Sequence, residues 1–203
     1  MSTTIILVRH GETEWNRVER FRGRFDIPLN PTGVSQAKRT ARRISKDWKP
    51  SAVYSSPLGR AMQTAEIIAN ASGKLAQPND GLMDIDYGKW QGLTPEEAKA
   101  KWPELIAKWY DHPGAVRIPG GESLSKVRSR VMTALEMICW LNAEQEVVVV
   151  SHTVVNRLIL LSVLGLGNGH FWNIRQDPCA INVIEKNAQK YILHSMNCTF
   201  HLR

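Results

Sequence analysis

The chain has 203 residues, of which 43% are hydrophobic and 22% are charged, and these values are ordinary for one globular domain that buries its own core. Lys and Arg outnumber Asp and Glu by 26 to 19, and the resulting net charge of +7 favours anionic partners. Because the basic residues are spread along the chain and the apolar runs stay well short of about 18 residues, we predict neither nucleic-acid binding nor a membrane span.

The first half of the chain alternates short β-branched runs, typical of buried strands, with segments that repeat apolar residues at helical spacing. Either Asn30 or Thr32 would cap the first of these helices. The predicted elements are a strand over 4–8, a helix that begins at 30–32, a strand over 51–55, a helix over 58–70 and a short edge strand over 74–77.

The second half continues the alternation after a loop over 84–92. A run of four valines at 147–150 indicates a strand that is buried on both faces of a sheet. The predicted elements are a helix from Thr94 to a break at His112, a helix over 122–142, a strand over 146–150, a helix over 153–164 and a terminal hairpin of 180–185 with 190–194.

This alternation predicts an α/β fold, a three-layer αβα sandwich with a mainly parallel sheet. Ligands bind such sheets outside the carboxyl ends of the strands. Three predicted strand ends carry polar side chains that would meet at this rim. They contribute Arg9 and His10, Arg60, and His152 with Thr153.

Two histidines and two arginines at one rim favour phosphoryl chemistry. A neutral imidazole attacks phosphorus and later leaves it, so a phosphohistidine can form and be hydrolysed. Arginine matches the geometry of phosphate oxygens and stays charged, and a carboxylic acid is needed to protonate the leaving oxygen. The Gly11 that follows His10 would let backbone N–H groups approach an anion.

Seven sequence blocks resemble the histidine phosphatase superfamily, in its phosphoglycerate mutase-like branch. They occur in order along nearly the whole chain, so we expect residues 1–203 to form one domain. The blocks are 7–16 (LVRHGETEWN), 21–29 (FRGRFDIPL), 33–37 (GVSQA), 54–65 (YSSPLGRAMQTA), 88–92 (GKWQG), 120–123 (GGES) and 150–152 (VSH).

The resemblance implies a role for each matching residue. His10 would take the phosphoryl group, and Arg9, Arg60 and His152 would bind its oxygens. Asn16 and Gly23 would line the phosphate pocket. A lid insertion at about 88–123 would supply part of the substrate pocket, including Glu122, and the chemistry would need no metal or other cofactor.

The chain departs from the family pattern at three positions. Asp84 stands where the family's acid is a glutamate, and we predict that Asp84 is the acid with Asp86 in reserve. Thr153 replaces a glycine and would either contact phosphate or cap a helix. Tyr87, which we place in the substrate pocket, replaces a histidine that serves a carboxylate in the phosphoserine phosphatase subgroup.

These residues predict an enzyme that hydrolyses a small phosphorylated metabolite, with phosphoserine, α-ribazole phosphate and phosphoglycerates as candidate substrates. The alternatives are a phosphoglycerate mutase and an impaired phosphatase-like protein that only binds phosphorylated ligands. Three unpaired cysteines and an N-terminus unlike a signal peptide favour the cytoplasm. Trp48 and the terminal hairpin would supply the contact of a homodimer.

Overall fold

In this computed structural model, which describes residues 2–203, one six-stranded sheet forms the centre of the chain. Its strands are β1 (Ser2–Arg9), β2 (Ala52–Ser55), β3 (Ala76–Pro78), β4 (Glu146–Ser151), β5 (Ile181–Asn187) and β6 (Tyr191–Cys198). The spatial order is β3-β2-β4-β1-β5-β6. The first four of these are mutually parallel, and β5 and β6 join antiparallel at one edge. The predicted mainly parallel α/β sheet is therefore confirmed.

Helices cover both faces of the sheet. They are α1 (Glu14–Arg17), α2 (Pro31–Asp47), α3 (Gly59–Ala71), α4 (Pro95–Lys101), α5 (Pro103–Asp111), α6 (Leu124–Leu141) and α7 (Thr153–Val163). In β4, Val147 and Val149 pack with α6 and α7, whereas Val148 and Val150 pack with α2 and α3. Successive side chains of a strand point to opposite faces, so an unbroken valine run fits a strand with helices on both sides.

Four local predictions need correction. The helix expected from Thr94 to His112 is two helices, α4 and α5, because Pro103 has no N–H to donate and begins a new helix after Trp102. The helix expected from 122 begins at Leu124, where the Ser123 hydroxyl accepts from the Lys126 amide. The last strand extends to Cys198 rather than 194, and the short helix α1 was not predicted.

The structure adds two facts on cross-links and membranes. Cys139, Cys179 and Cys198 are all free thiols, and the first two are buried. Among the helices of residues 2–203, none combines the length and the apolar character that crossing a bilayer requires.

Candidate active site

The strand ends meet as the sequence predicts. Strands β1 and β2 flank β4 in the sheet, and the register sets Arg9 level with Ser151. The next residues along the two strands, His10 and His152, bring their rings to a centroid distance of 5.2 Å. Arg60, one residue into α3, reaches the same point. The sheet therefore assembles the two histidines and two arginines at one buried corner.

The ring of His10 is oriented by its two neighbours. Its Nδ1 lies 2.7 Å from the carbonyl oxygen of Gly11, and a carbonyl only accepts, so Nδ1 carries the proton and donates it. Its Nε2 is then unprotonated, and the lone pair of this nitrogen accepts a hydrogen bond from Nε of Arg60 at 3.3 Å. The imidazole is thus held neutral, with Nε2 available as a nucleophile.

Burial also lowers the pKa of His10 well below its usual range, and the charges of Arg60, Arg9 and Arg22 lower it further. The neutral ring should therefore persist on acidification, with protonation beginning only well below pH 6.5. Two-dimensional 1H–15N NMR of the imidazole checks this by reporting which nitrogen carries the proton. We expect Nδ1–H with unprotonated Nε2 from pH 6 to 8. A His10 that titrates near pH 6.5 would contradict the assignment.

Arg60 is fully buried and uses four of its five N–H groups in hydrogen bonds to described residues. Besides His10, its Nη1 donates to the carbonyl of Phe25, and its Nη2 donates to the carbonyl of Gly23 at 2.8 Å and to Oδ2 of Asp84 at 3.0 Å. Gly23 has a φ of +52° and lies against Gln91 and Ile85, a conformation and a spacing that a side chain would disturb. The contribution of Gly23 in this structure is therefore the carbonyl that holds Arg60.

The carboxyl group of Asp84 lies next to Arg60 and His152. Its Oδ1 accepts from the amide of Ile85 at 3.0 Å, and its Oδ2 lies 3.7 Å from Nδ1 of His152. Asp84 also lines the cavity that opens next to the two histidines. The reserve acid, Asp86, accepts instead from the amide of Gly88 and lies near Arg24, so the structure brings Asp84 rather than Asp86 into the site.

Several buried polar atoms around this corner have no hydrogen-bond partner among the described residues. They are both ring nitrogens of His152, Nε of Arg9 and the hydroxyl of Thr153. Unsatisfied polar groups cost free energy when buried, so a cluster of them indicates a site for a polar ligand. Arg9 is fixed by one bond, from Nη1 to the carbonyl of Gln176 at 2.6 Å, and burial lowers its pKa only to about 9, so it remains a cation at neutral pH.

The adjoining cavity has a volume of about 240 Å³. Among the described residues, five arginines and two carboxylates line it, so it favours an anionic ligand. The arginines are Arg9, Arg20, Arg22, Arg157 and Arg175, and the carboxylates are those of Glu19 and Asp84. A ligand carrying more than one negative charge fits this balance.

Sequence reasoning predicted only Arg9 of these five arginines, and Arg22 and Arg157 are the most informative of the four that it missed. The side chain of Arg22 has no hydrogen bond or ion pair among the described residues, its charge lowers the pKa of His10, and the charge of Asp84 raises the pKa of Arg22 itself. Arg157 lies one helical turn after Thr153, with its guanidinium 4.9 Å from the rings of Phe171 and Trp172. The four-residue spacing from Thr153 was a signal that could have found Arg157, because residues i and i+4 share a helix face.

The remaining predicted residues divide between the cavity and its surroundings. Tyr87 lines the cavity, and its ring packs against Phe21 at 5.0 Å, while burial raises the pKa of its hydroxyl. Asn16 uses its side-chain oxygen to accept from the amide and hydroxyl of Thr13, and Glu122 is paired with Arg130. The described lining of the cavity includes neither Asn16 nor Glu122, and it also lacks His10, Arg60 and His152, which lie beside it.

The segment 88–123 closes one side of the cavity. It contributes Pro95, Trp109 and Tyr110 to the lining. Trp90 and Trp109 are almost completely buried in the main core, with ring centroids 5.8 Å apart. These two tryptophans pack the segment onto the domain. In the described chain, no group of three or more His, Cys, Asp or Glu side chains has the arrangement of a metal site.

Comparison with protein families decides which family has this site. The profile described as the histidine phosphatase superfamily (branch 1) matches residues 5–199. The chain belongs to this superfamily. It is a phosphoric monoester hydrolase by that membership and by its phosphoserine phosphatase homologues.

Individual relatives agree. The chain is 38% identical over 198 residues to phosphoserine phosphatase 1 of Hydrogenobacter thermophilus, covering 98% of this chain and 93% of that protein. It is 36% identical over 204 residues to the metal-independent phosphoserine phosphatase of Arabidopsis thaliana, covering 98% and 83%. Among solved structures, Bacillus stearothermophilus YhfR superposes with a TM-score of 0.94 at 27% identity, covering 99% of this chain and 100% of that one.

Proposed function

We propose that this histidine phosphatase hydrolyses a small phosphomonoester without a metal, through a phosphohistidine formed on Nε2 of His10. The observation that supports this proposal most directly is the orientation of His10. Its Nδ1–H donates to the carbonyl of Gly11, so Nε2 keeps its lone pair and lies beside Arg60. The unpartnered donors of Arg9 and His152 lie at the same corner and fit the oxygens of a phosphoryl group.

In the first step, Nε2 of His10 attacks phosphorus in line and forms the N–P bond. The ester P–O bond breaks, and Asp84 gives its proton to the leaving oxygen, which departs as an alcohol. The Nδ1–H bond to Gly11 supports the positive charge that the imidazole acquires. Arg9, Arg60 and His152 stabilise the charge on the equatorial oxygens.

In the second step, water attacks phosphorus and the N–P bond breaks. The Asp84 carboxylate accepts the proton that the water loses, and His10 recovers its lone pair. Inorganic phosphate then leaves, and Asp84 is again ready to act as an acid. Hydrolysis is favoured over phosphoryl transfer to a second metabolite because the two relatives that align with 98% of this chain at 36% and 38% identity are named phosphoserine phosphatases.

The cavity also narrows the substrate class. Its volume of about 240 Å³ lies below the ~300 Å³ at which pockets for drug-sized ligands begin, so the leaving group is small. Arg22 and Arg157 line the cavity together with Tyr87, and the charges of both arginines act on the Tyr87 hydroxyl, so with phosphate bound at Arg9 and Arg60 they would be left for the leaving group. A carboxylate there would satisfy both cations, which favours phosphoserine or a phosphoglycerate over α-ribazole phosphate.

The test compares phosphoserine with phosphoethanolamine, which lacks the carboxylate, in the presence of EDTA. Wild type should hydrolyse both, with a higher kcat/KM for phosphoserine. Arg157→Gln should reduce the ratio of the two kcat/KM values by about 10-fold or more, since a hydrogen-bonded charge contributes about 1.5–3 kcal/mol. The matched control is Arg128→Gln, because Arg128 bonds the carbonyl of Leu166 and does not line the cavity.

Two outcomes would count against this proposal. Complete loss of hydrolysis in EDTA would show that the enzyme needs a metal ion. An unchanged ratio of the two kcat/KM values in Arg157→Gln would show that the carboxylate of the substrate does not bind at this end of the cavity. The proposed compartment is the cytoplasm, since three free thiols suit reducing surroundings.

A further inference from the structure

The guanidinium of Arg130, on the inner side of α6, uses every one of its N–H groups. An arginine has five such donors in a fixed fork. Nε donates to Oε1 of Glu122 at 3.1 Å and Nη2 donates to Oε2 at 3.0 Å. The other three bonds go to backbone carbonyls of one short segment, those of Gly81 at 2.9 Å, Met83 at 2.7 Å and Asp84 at 3.0 Å.

This segment, 81–84, is the backbone that leads to the candidate acid. The remaining carbonyl, that of Leu82, accepts from the hydroxyl of Ser151 at 2.7 Å, at the end of β4. Gly81 lies so close to α6 that an added Cβ would stand 2.5 Å from the side chain of Ala134. All four carbonyls of the segment are therefore bound, and the segment is packed directly onto α6.

Glu122 holds the chain on the other side of Asp84. Its Oε2 accepts from the amide of Asp86 at 3.0 Å, and its own amide donates to the carbonyl of Asp86 at 2.8 Å. Burial opposes the charge of Glu122, but the bonds from Arg130 and Asp86 outweigh it and lower the pKa of this carboxyl. The charged pair of Arg130 and Glu122 thus binds the backbone on both sides of Asp84.

We propose that Arg130 and Glu122 form a clamp of positioning residues for the acid of this enzyme, an inference that rests on the role of Asp84 proposed above. Both side chains bind backbone groups on either side of Asp84, so the clamp acts through the backbone of 81–86. Asp84 has one methylene less than glutamate to reach the leaving oxygen. A short side chain makes proton transfer depend on where the backbone stands, and displacements near ~1 Å cost on the order of 10²-fold in rate.

Two substrates with different leaving groups distinguish a misplaced acid from a general loss of protein stability, because only a misplaced acid should lower kcat/KM for one substrate more than for the other. An alkyl phosphate needs a proton on its leaving oxygen, whereas p-nitrophenolate leaves without one. We expect Arg130→Gln to lower kcat/KM for an alkyl phosphate such as phosphoserine by about 10²-fold, and for p-nitrophenyl phosphate by less than about fivefold. Arg130→Lys should not restore the alkyl activity, because an ammonium cannot make five bonds in a plane.

A double-mutant comparison completes the test. In an Asp84→Asn background, adding Arg130→Gln should change the alkyl kcat/KM by less than about threefold, since the acid that it positions is gone. Glu122→Gln keeps the shape of the side chain and should give the same leaving-group selectivity. This variant tests the clamp even if the Arg130 variant does not fold. Arg128→Gln, on the same helix, is the control and should show no selectivity.

Equal losses on both substrates, or full additivity with Asp84→Asn, would overturn the clamp as a positioning device. These results are distinguishable from a failure of the proposed function itself. If Asp84→Asn shows the leaving-group selectivity and the Arg130 and Glu122 variants do not, the clamp alone is wrong. If Asp84→Asn does not show it, the role of Asp84 as acid is wrong and the clamp falls with it.

Discussion

His10→Ala should reduce kcat/KM for p-nitrophenyl phosphate by about 10⁴-fold or more, because removal of a covalent nucleophile leaves only the electrostatic part of catalysis. The loss should appear with every substrate, good or poor leaving group alike, since each must pass through the same N–P bond. Steady-state kinetics in EDTA measures it. His112→Ala is the matched control, because His112 is an exposed histidine that ends α5 outside the cavity lining.

The phosphoryl group should also be found on His10 itself. Rapid mixing of wild type with substrate, followed by an alkaline quench and peptide mass spectrometry, should locate one phosphoryl group on the peptide that contains His10. We also expect Arg9 and Arg60 to be essential for this step, because in the proposed mechanism both bind the phosphoryl oxygens and Arg60 also donates to Nε2 of His10. Full activity in His10→Ala, or a phosphoryl group on another residue, would exclude the mechanism.

The strand-end residues could be predicted because their signals are local. A β-branched run ending in Arg9-His10, and four valines ending in Ser151-His152, each specify a buried strand together with the polar residues at its carboxyl end. Parallel strands then place those ends at one edge without further information. The break of the lid helix at Pro103 is also readable from the sequence, because proline cannot donate a helical N–H and favours the first position of a new helix.

The other contributions to the site could not be predicted because they depend on long-range packing. Arg130 donates to carbonyls that lie 46 to 49 residues earlier in the chain, and carbonyls carry no sequence signal. Asn16 was predicted in the phosphate pocket and Glu122 in the substrate pocket, and in the structure Asn16 accepts from the amide of Thr13 while Glu122 accepts from the amide of Asp86. Side-chain direction, which decides between these uses, is set by tertiary contacts and not by the motif.

Removal of the acid at Asp84 is the second change for which we expect a large loss of activity. Asp84→Asn should lower kcat/KM for an alkyl phosphate by about 10²- to 10⁴-fold, the usual contribution of a general acid, and should leave p-nitrophenyl phosphate much less affected. Asp86→Asn, the neighbouring carboxylate bound to Gly88, should cost less than about threefold. Alkyl and nitrophenyl kcat/KM values for the two variants, measured side by side, decide between the acids.

Asp84→Glu discriminates between an enzyme and an impaired binding protein. In this structure the aspartate already reaches Nη2 of Arg60 at 3.0 Å and lies 3.7 Å from Nδ1 of His152 while almost fully buried, so an added methylene would push its carboxyl past these partners. We therefore expect Asp84→Glu to lower the alkyl kcat/KM by about tenfold. A rise instead would mean that the native aspartate is too short to transfer its proton, and the site would then be better described as one that binds phosphorylated ligands and turns them over slowly.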